Sequence, residues 1–365
     1  MPQMFSQFDK KMMRRCFTLA RKGRFKVRPN PMVGAVLVKN GRVIGEGYHR
    51  YFGGPHAEVE AFQNATEDPT GATLYCNLEP CCHANKKTPP CTPLVISKKV
   101  ARVVVANIDP NPDVSGKGLQ QMREAGIQVE SGLLQEEGAE LNRVFFLNMK
   151  ENRPFITLKI ARSLDGFISE SRDKQTWLTS EKAIKFVHRL RAAHQAVLVG
   201  AGTVRADDPQ LTVRMARGPQ PLRVALSASL IFSDRAQIFT DRFRDKTLII
   251  TTQQADKEKI EQLLGKGVRV ESAPDLTNGN INLRLLLEIL WQKFKIGSLL
   301  VEGGQQIFTN FLNERLLDEL ILIETPVLLG QGLPAFDRLR GHFLQLKTIK
   351  KLGPDVAIIY RKKER

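Results

Sequence analysis

His56, Cys81 and Cys91 are the residues of this chain best suited to hold a metal ion. One imidazole and two thiolates make three protein ligands for zinc and leave the fourth tetrahedral position to water. This donor set favours zinc over harder cations. Zinc lowers the pKa of a bound water to about 7, so hydroxide is available near neutrality. Glu58, two residues beyond the histidine, can carry protons without binding the metal. Hydroxide attack on an amino-bearing ring carbon, with a glutamate delivering the proton to departing ammonia, is hydrolytic deamination. Each piece alone says little. His-Ala-Glu recurs by chance, and Cys81-Cys82 reads equally as two small buried residues. A closed structural site, with Cys82 or His83 as fourth ligand, is a further alternative, but it leaves Glu58 without a task.

A second set of residues lies in the other half of the chain. Gly200-Ala201-Gly202-Thr203 and Gly303-Gly304 each follow an apolar run. A glycine turn that opens a helix offers free N–H groups and a positive dipole to a phosphate, and glycine lets a backbone approach closely. Ordinary strand–helix turns look the same. No Gly-x-Gly-x-x-Gly follows the first strand of this half, which weakens a Rossmann reading. Arg191 and Arg214 could clamp a substrate phosphate by bidentate hydrogen bonds, or could each be a solvated surface arginine.

Elements of α/β type must position both sets. In the first half strands are expected at Val33–Val38, Val43–Gly47, Thr73–Leu78, Val100–Ala106 and Ile127–Glu130. Asn40-Gly41 marks a hairpin turn, and helices are expected at His56–Asn64 and Leu119–Ala125. This alternation implies an α/β sandwich with a mostly parallel sheet. From Leu133 to Lys150 the pattern is helical and charged. Arg153-Pro154 follows, and we place a domain boundary at about residue 147, giving domains 1–147 and 148–365. Strands at Phe155–Ile160, Ala196–Val199, Leu222–Leu226, Thr247–Thr251, Val268–Glu271 and Ser298–Val301 then alternate with helices at Ser180–Arg191, Lys257–Leu264, Leu283–Lys293 and Gln305–Asn313. Two domains suit a chain of 365 residues with 42% apolar content.

Other features bound the function. Five cysteines, three of them within residues 81–91, point to metal rather than a disulfide framework. No apolar run reaches the roughly 18 residues of a membrane span, and the first 22 residues lack a signal-peptide pattern. Both indicate the cytoplasm. The net charge of +17 invites nucleic acid, but the basic residues are scattered rather than gathered in a stripe. Phosphorylated small molecules are attracted by the same field.

The first half resembles the riboflavin-pathway pyrimidine deaminases of the cytidine-deaminase-like superfamily. The resemblance rests on Asn30-Pro31-Met32-Val33-Gly34-Ala35, Gly45-Glu46-Gly47-Tyr48-His49, Pro55-His56-Ala57-Glu58, Leu78-Glu79-Pro80-Cys81-Cys82-His83, Thr88-Pro89-Pro90-Cys91-Thr92 and Asp109-Pro110-Asn111-Pro112. It implies an α/β/α sandwich, zinc on His56, Cys81 and Cys91, Glu58 as the catalytic proton shuttle, and Asn30 and His49 as substrate contacts. Asn30 also suits a structural turn. The stretch Ala84-Asn85-Lys86-Lys87 adds one residue to the usual spacing, with Lys86 or Lys87 expected to meet substrate.

Residues 153–336 resemble the reductase half of the same riboflavin enzyme, which has a dihydrofolate-reductase-like α/β fold. The motifs are Arg153-Pro154-Phe155-Ile156-Thr157-Leu158-Lys159, Ser163-Leu164-Asp165-Gly166, Trp177-Leu178-Thr179-Ser180, Thr203-Val204-Arg205-Ala206-Asp207-Asp208-Pro209, Leu211-Thr212-Val213-Arg214, Val301-Glu302-Gly303-Gly304 and Leu328-Leu329-Gly330. They imply NADPH contacts at Ala161, Trp177, Thr203, Asp207, Gly303 and Gly304. They imply substrate contacts at Lys159, Arg191, Leu211, Arg214 and Glu302. Gln175 and Ser227 depart from the family's usual serine and aspartate. The expected protein is a bifunctional enzyme of riboflavin biosynthesis that needs Zn2+ and NADPH. It is expected to be a homo-oligomer acting on a phosphorylated pyrimidine, with no nucleic-acid or membrane partner. Two rivals stand beside this reading: a nucleic-acid-editing deaminase, disfavoured by only two Trp and four Tyr, and a chain with one inactive half.

Overall fold

A computed structural model describes residues 5–83, 88–172, 175–273, 281–341 and 343–363. The chain divides into two compact units, Met1–Asn152 and Arg153–Arg365. The division falls where a helix, Arg143–Glu151, ends on Asn152 in the left-handed conformation. The boundary expected at about residue 147 lies within that helix.

The first unit opens with α1 (Gln7–Arg21), capped reciprocally by Ser6 and Asp9. The strands β1 (Gly34–Lys39) and β2 (Arg42–Tyr48) form a hairpin. Its turn residues Asn40 and Gly41 both have positive φ, 50° and 72°, as a tight turn matched to strand twist requires. Then follow α2 (Ala57–Gln63), β3 (Thr73–Leu78), α3 (Cys91–Ser97), β4 (Arg102–Asn107), α4 (Lys117–Glu124), β5 (Gln128–Ser131), α5 (Gln135–Leu141) and α6 (Arg143–Glu151). The sheet order is β2-β1-β3-β4-β5. The sheet is evenly mixed rather than mostly parallel: β1 runs antiparallel to both neighbours, and β3, β4 and β5 are parallel. The Asn40-Gly41 hairpin turns the chain straight back, whereas parallel pairing needs a crossover.

Strand alternation builds a core on each face. Leu37, Cys76, Val103 and Val105 meet Ala57, Ala61, Val95, Leu119 and Met122 from α2, α3 and α4. Val36, Val38, Tyr75 and Val104 meet Met12, Met13, Cys16 and Phe17 of α1. The result is an α/β/α sandwich. Gly47 lets α2 lie directly on β2, because a Cβ there would stand 2.3 Å from the Ala57 carbonyl oxygen. That contact fixes the start of α2, where His56 and Glu58 sit.

The second unit begins with β6 (Phe155–Ser163), β7 (Phe167–Ser169), α7 (Glu181–Ala193), β8 (Ala196–Gly200), α8 (Ala201–Asp207) and β9 (Leu222–Leu226). It continues with α9 (Gln237–Thr240), β10 (Thr247–Thr251), α10 (Lys257–Gly265), β11 (Arg269–Ser272), α11 (Leu283–Gln292), β12 (Ser298–Gly303) and α12 (Gln305–Asn313). Four strands close it: β13 (Glu319–Thr325), β14 (Leu333–Pro334), β15 (Leu344–Leu352) and β16 (Asp355–Lys362). Nine strands form one sheet in the order β11-β10-β9-β8-β12-β6-β13-β16-β15. It is parallel from β11 through β13 and antiparallel at the β13–β16–β15 end. Leu158, Leu198, Val224 and Val301 pack under α11 and α12 on one face. Val197, Val199, Ala225 and Ile249 face Phe239 and Leu263 on the other.

Candidate functional site

In the first unit the sequence brings three ligand atoms to one point. His56 is the N-cap of α2 and makes no side-chain cap bond. Cys81 lies on the loop after β3, and Cys91 is the first residue of α3. The His56 Nδ1 stands 3.4 Å from both the Cys81 and the Cys91 Sγ, and all three ligand atoms lie within 4.8 Å of one another. A tetrahedral zinc with Zn–S of about 2.3 Å and Zn–N of about 2.0–2.1 Å sets nitrogen and sulfur about 3.6 Å apart. The chain's own geometry therefore fits the ion. Among the described residues the ligand group contains neither Cys82 nor His83. The Cys82 thiol instead points to the Asp113 carbonyl at 3.8 Å. Glu58 is buried in the first turn of α2. Its charge adds to burial in pushing the neighbouring Cys76 thiol well above the usual range.

Asn30 and His49 meet beside this cluster. The His49 Nδ1 is 2.9 Å from the Pro55 carbonyl, which can only accept, so Nδ1 carries the proton and Nε2 is an acceptor. The Asn30 amide Nδ2 lies 3.3 Å from that Nε2. Burial lowers the His49 pKa, in keeping with a neutral ring. The His49 and His56 rings contact edge to face, with centroids 5.4 Å apart. Lys86 and Lys87 lie outside the described residues.

Residues that sequence reasoning missed hold this site in place. Asn77 and Asn142 clamp the Met32 backbone: Gly34 N–H donates to Asn77, Met32 N–H to Asn142, and both amides donate to the Met32 carbonyl. This anchors the loop that carries Asn30. Buried Glu79 accepts from the backbone N–H groups of Asp109, Gly116, Gly118 and Leu119. It ties the strand end before Cys81 to the start of α4. An asparagine or glutamate at a strand end or a helix junction carries no sequence sign of such a role.

In the second unit Lys159, Ala161, Trp177, Thr203, Asp207, Glu302, Gly303 and Gly304 share the wall of one cavity of about 600 Å3, a size ordinary for a cofactor site. Gly200, from the glycine turn singled out in the sequence, lines it too, as do Ser227 and the unpredicted Arg205 and Gln306. Its floor is two strand–helix turns pressed together. A Cβ on Gly303 would lie 2.7 Å from the Thr203 Oγ1, and Gly304 has φ +94° as it opens α12. The turns of α8 and α12 so present backbone N–H groups at close range, which suits the phosphates of a dinucleotide.

Glu302 sits at a β-bulge between Val301 and Gly303, a device that re-aims a side chain. Its buried carboxylate takes a bidentate pair from Arg191 at 2.6 and 2.9 Å and stands 3.4 Å from Lys159 Nζ. Burial would raise its pKa, but Arg191 and Lys159 hold it down at about 2. Asp207 is shifted the other way, raised by burial despite Lys159. Arg191, Leu211 and Arg214 do not line the cavity. Arg191 gives its remaining Nη1 to the Thr212 carbonyl. Leu211 is buried with φ 52°. Arg214 is exposed, with Nη1 on Gln210 and Thr212.

Fold and site thus define the class: a zinc-type deaminase unit followed by a nicotinamide-type reductase unit. The comparisons agree. Residues 6–107 match the cytidine and deoxycytidylate deaminase zinc-binding region, and residues 154–358 match the RibD C-terminal domain. The riboflavin biosynthesis protein RibD of Aquifex aeolicus is 41% identical, over 98% of this chain and 100% of its own length. The first form of Acinetobacter baumannii RibD superposes with a TM-score of 0.88 at 34% identity, covering 98% of this chain and 99% of that one. A Thermotoga maritima structure, named a diaminohydroxyphosphoribosylaminopyrimidine deaminase/5-amino-6-(5-phosphoribosylamino)uracil reductase, gives 0.84 at 36% with the same coverage. The chain belongs to the RibD family: it is a bifunctional, zinc- and NADPH-dependent deaminase and reductase of riboflavin biosynthesis.

Proposed function

We propose that the first unit hydrolyses the 2-amino group of 2,5-diamino-6-(5-phosphoribosylamino)pyrimidin-4(3H)-one, and that the second reduces the ribosyl group of the resulting 5-amino-6-(5-phosphoribosylamino)uracil to ribityl. The observation that carries this reading is the three-ligand cluster with an acidic residue buried in the adjoining helix turn. His56, Cys81 and Cys91 hold zinc, which when bound supplies an acidified water. Glu58 would take a proton as the water oxygen adds to C2 and deliver it to the amine, so that the C2–N bond breaks, ammonia leaves and a carbonyl remains at C2. His49 and Asn30 hold the pyrimidine edge.

In the second unit Ala161, Trp177, Thr203, Asp207, Gly303 and Gly304 hold NADPH, which supplies the hydride. Lys159, Arg191, Leu211, Arg214 and Glu302 place the sugar so that its C1′ meets the nicotinamide. Arg191 is committed to Glu302 and Thr212, so the exposed Arg214 is the cation open to the 5′-phosphate, and Arg191 sets its loop. Holding both partners in register removes much of the entropic barrier. We further read the protein as a cytoplasmic homo-oligomer with no nucleic-acid partner. Among the described residues no helix is long and apolar enough to cross a membrane. Light scattering checks the assembly.

Ammonia release from the diaminopyrimidine phosphate tests the first step. Wild type releases it without NADPH. Glu58→Ala loses about 10²–10⁴-fold in rate, while its NADPH consumption on the deaminated uracil is unchanged. A wild-type protein that binds one zinc per chain yet releases no ammonia would sink the substrate assignment and bring a nucleic-acid substrate forward.

A further inference from the structure

The imidazole of His56 has two nitrogens, and the structure gives each a different neighbour. Nδ1 faces both ligand sulfurs at 3.4 Å. Nε2 lies 3.1 Å from the Thr88 Oγ1. A nitrogen that binds metal must be unprotonated, so the proton of the neutral ring sits on Nε2. The Thr88 hydroxyl oxygen is then the acceptor of that N–H. Metal-bound histidines are ordinarily fixed in this way by a partner on the far nitrogen, which sets tautomer and ring angle.

The placement of Thr88 is not incidental. It leads Thr88-Pro89-Pro90-Cys91, and the two prolines fix their own φ angles. Pro90 is the N-cap of α3, at φ −64° and ψ 144°. The Cys91 N–H in turn donates to the Cys81 carbonyl at 3.0 Å and lies 3.4 Å from the Cys81 Sγ. One stiff strap therefore carries a thiolate ligand at one end and the oxygen facing the imidazole ligand at the other.

We propose that Thr88 is a positioning residue of the zinc centre: its hydroxyl accepts the His56 Nε2–H and so fixes which nitrogen, at which angle, meets the metal. The proposal rests on the deaminase reading above. It concerns metal affinity in the absence of substrate, which separates Thr88 from the substrate contacts Asn30 and His49.

The test uses the full chain, with zinc affinity measured by chelator competition and the ligand field read from the visible absorption of the cobalt(II)-loaded protein. Thr88→Val keeps the shape and removes the oxygen; Thr88→Ser keeps the oxygen and removes the methyl group. Thr88→Val is expected to lose about 10–100-fold in zinc affinity and to change the cobalt band, with Thr88→Ser close to wild type in both. Calorimetric melting of the first unit and the far-ultraviolet circular dichroism of the full chain verify folding, and Thr88→Ala replaces the valine variant if that one is misfolded. Wild-type zinc affinity and an unchanged cobalt band in the valine variant overturn the proposal. So does an equal loss in the serine variant, which would make the methyl packing responsible. If wild type binds no zinc, the deaminase reading falls together with this one.

Discussion

Glu302 lines the reductase cavity and is also part of a buried ion-pair network. Its carboxylate is buried between Arg191 and Lys159, and breaking such a pair leaves a buried charge without compensation. Glu302→Gln should therefore destabilise the second unit by about 3–5 kcal/mol, read as a lower urea midpoint, as well as lowering reductase activity. A near-wild-type midpoint would mean that the Arg191 guanidinium finds water instead. The nearby His188 adds a pH dependence. It is buried, its Nδ1 accepts the Arg214 N–H, and burial with Arg191 and Arg214 lowers its pKa to about 4. The folded pKa lies below the unfolded value of about 6.5, so between these values the unfolded chain binds more protons. Stability is then full above about pH 6.5 and falls as pH drops towards 4. Removing the group, as in His188→Asn, should flatten that slope in urea melts of the second unit across pH 4–7. At this scale the candidate zinc ligands, which the structure brings within 4.8 Å of one another, were legible because His and Cys are few and closely spaced. The commitments of Arg191 were not, since a sequence cannot show that a bulge turns Glu302 onto it. Thr88 and Glu79 were quoted in motifs without roles, because each acts only through a neighbour in space.

At the level of elements, the floor of the reductase cavity depends on two turns in contact. Gly303→Ala would put a methyl group 2.7 Å from the Thr203 Oγ1. Thr203 is β-branched and has little rotamer freedom in a helix, so the α8 turn must move. The expected result is a KM for NADPH raised about tenfold or more, partly restored when Thr203→Ala is added. An unchanged KM in steady-state kinetics would show that the turns part without consequence. Most elements were readable from apolar periodicity, and β3, β9, β10 and α12 begin and end where the sequence placed them. Others were not read: β7, α9, β13 and β14 were not placed at all, and three more show why. The Cys91–Ser97 helix was hidden behind its prolines, which look like loop residues but suit a helix start. The capped helix α1 was weighed only as a possible signal peptide. The terminal hairpin β15–β16 has an outer strand exposed along almost its whole length, and so lacks the alternation that marks a half-buried strand.

The whole molecule consists of two units, each with its own buried clusters on both faces of its sheet. Ligands that bind only the folded state stabilise it by mass action, by about 2.7 kcal/mol at a hundred times Kd. Chelating zinc should therefore lower the melting temperature of the first unit alone, and NADPH should raise that of the second alone. Calorimetry of the full chain with either ligand checks this, and a single transition moved equally by both would contradict it. The expected α/β organisation of both halves was legible because strands and helices alternate throughout. The antiparallel character of the first sheet was less so, since pairing direction depends on where a strand returns rather than on its composition.

That the residues proposed for each reaction fall within one unit has a consequence for genetics. Alleles that inactivate the two halves separately need not be equivalent to a null allele. A chain bearing Glu58→Ala and a second chain disabled only in its reductase cavity would each retain the step the other lacks. Co-expressed in a riboflavin auxotroph, the two should complement in trans, with the deaminated pyrimidine passing between molecules by diffusion.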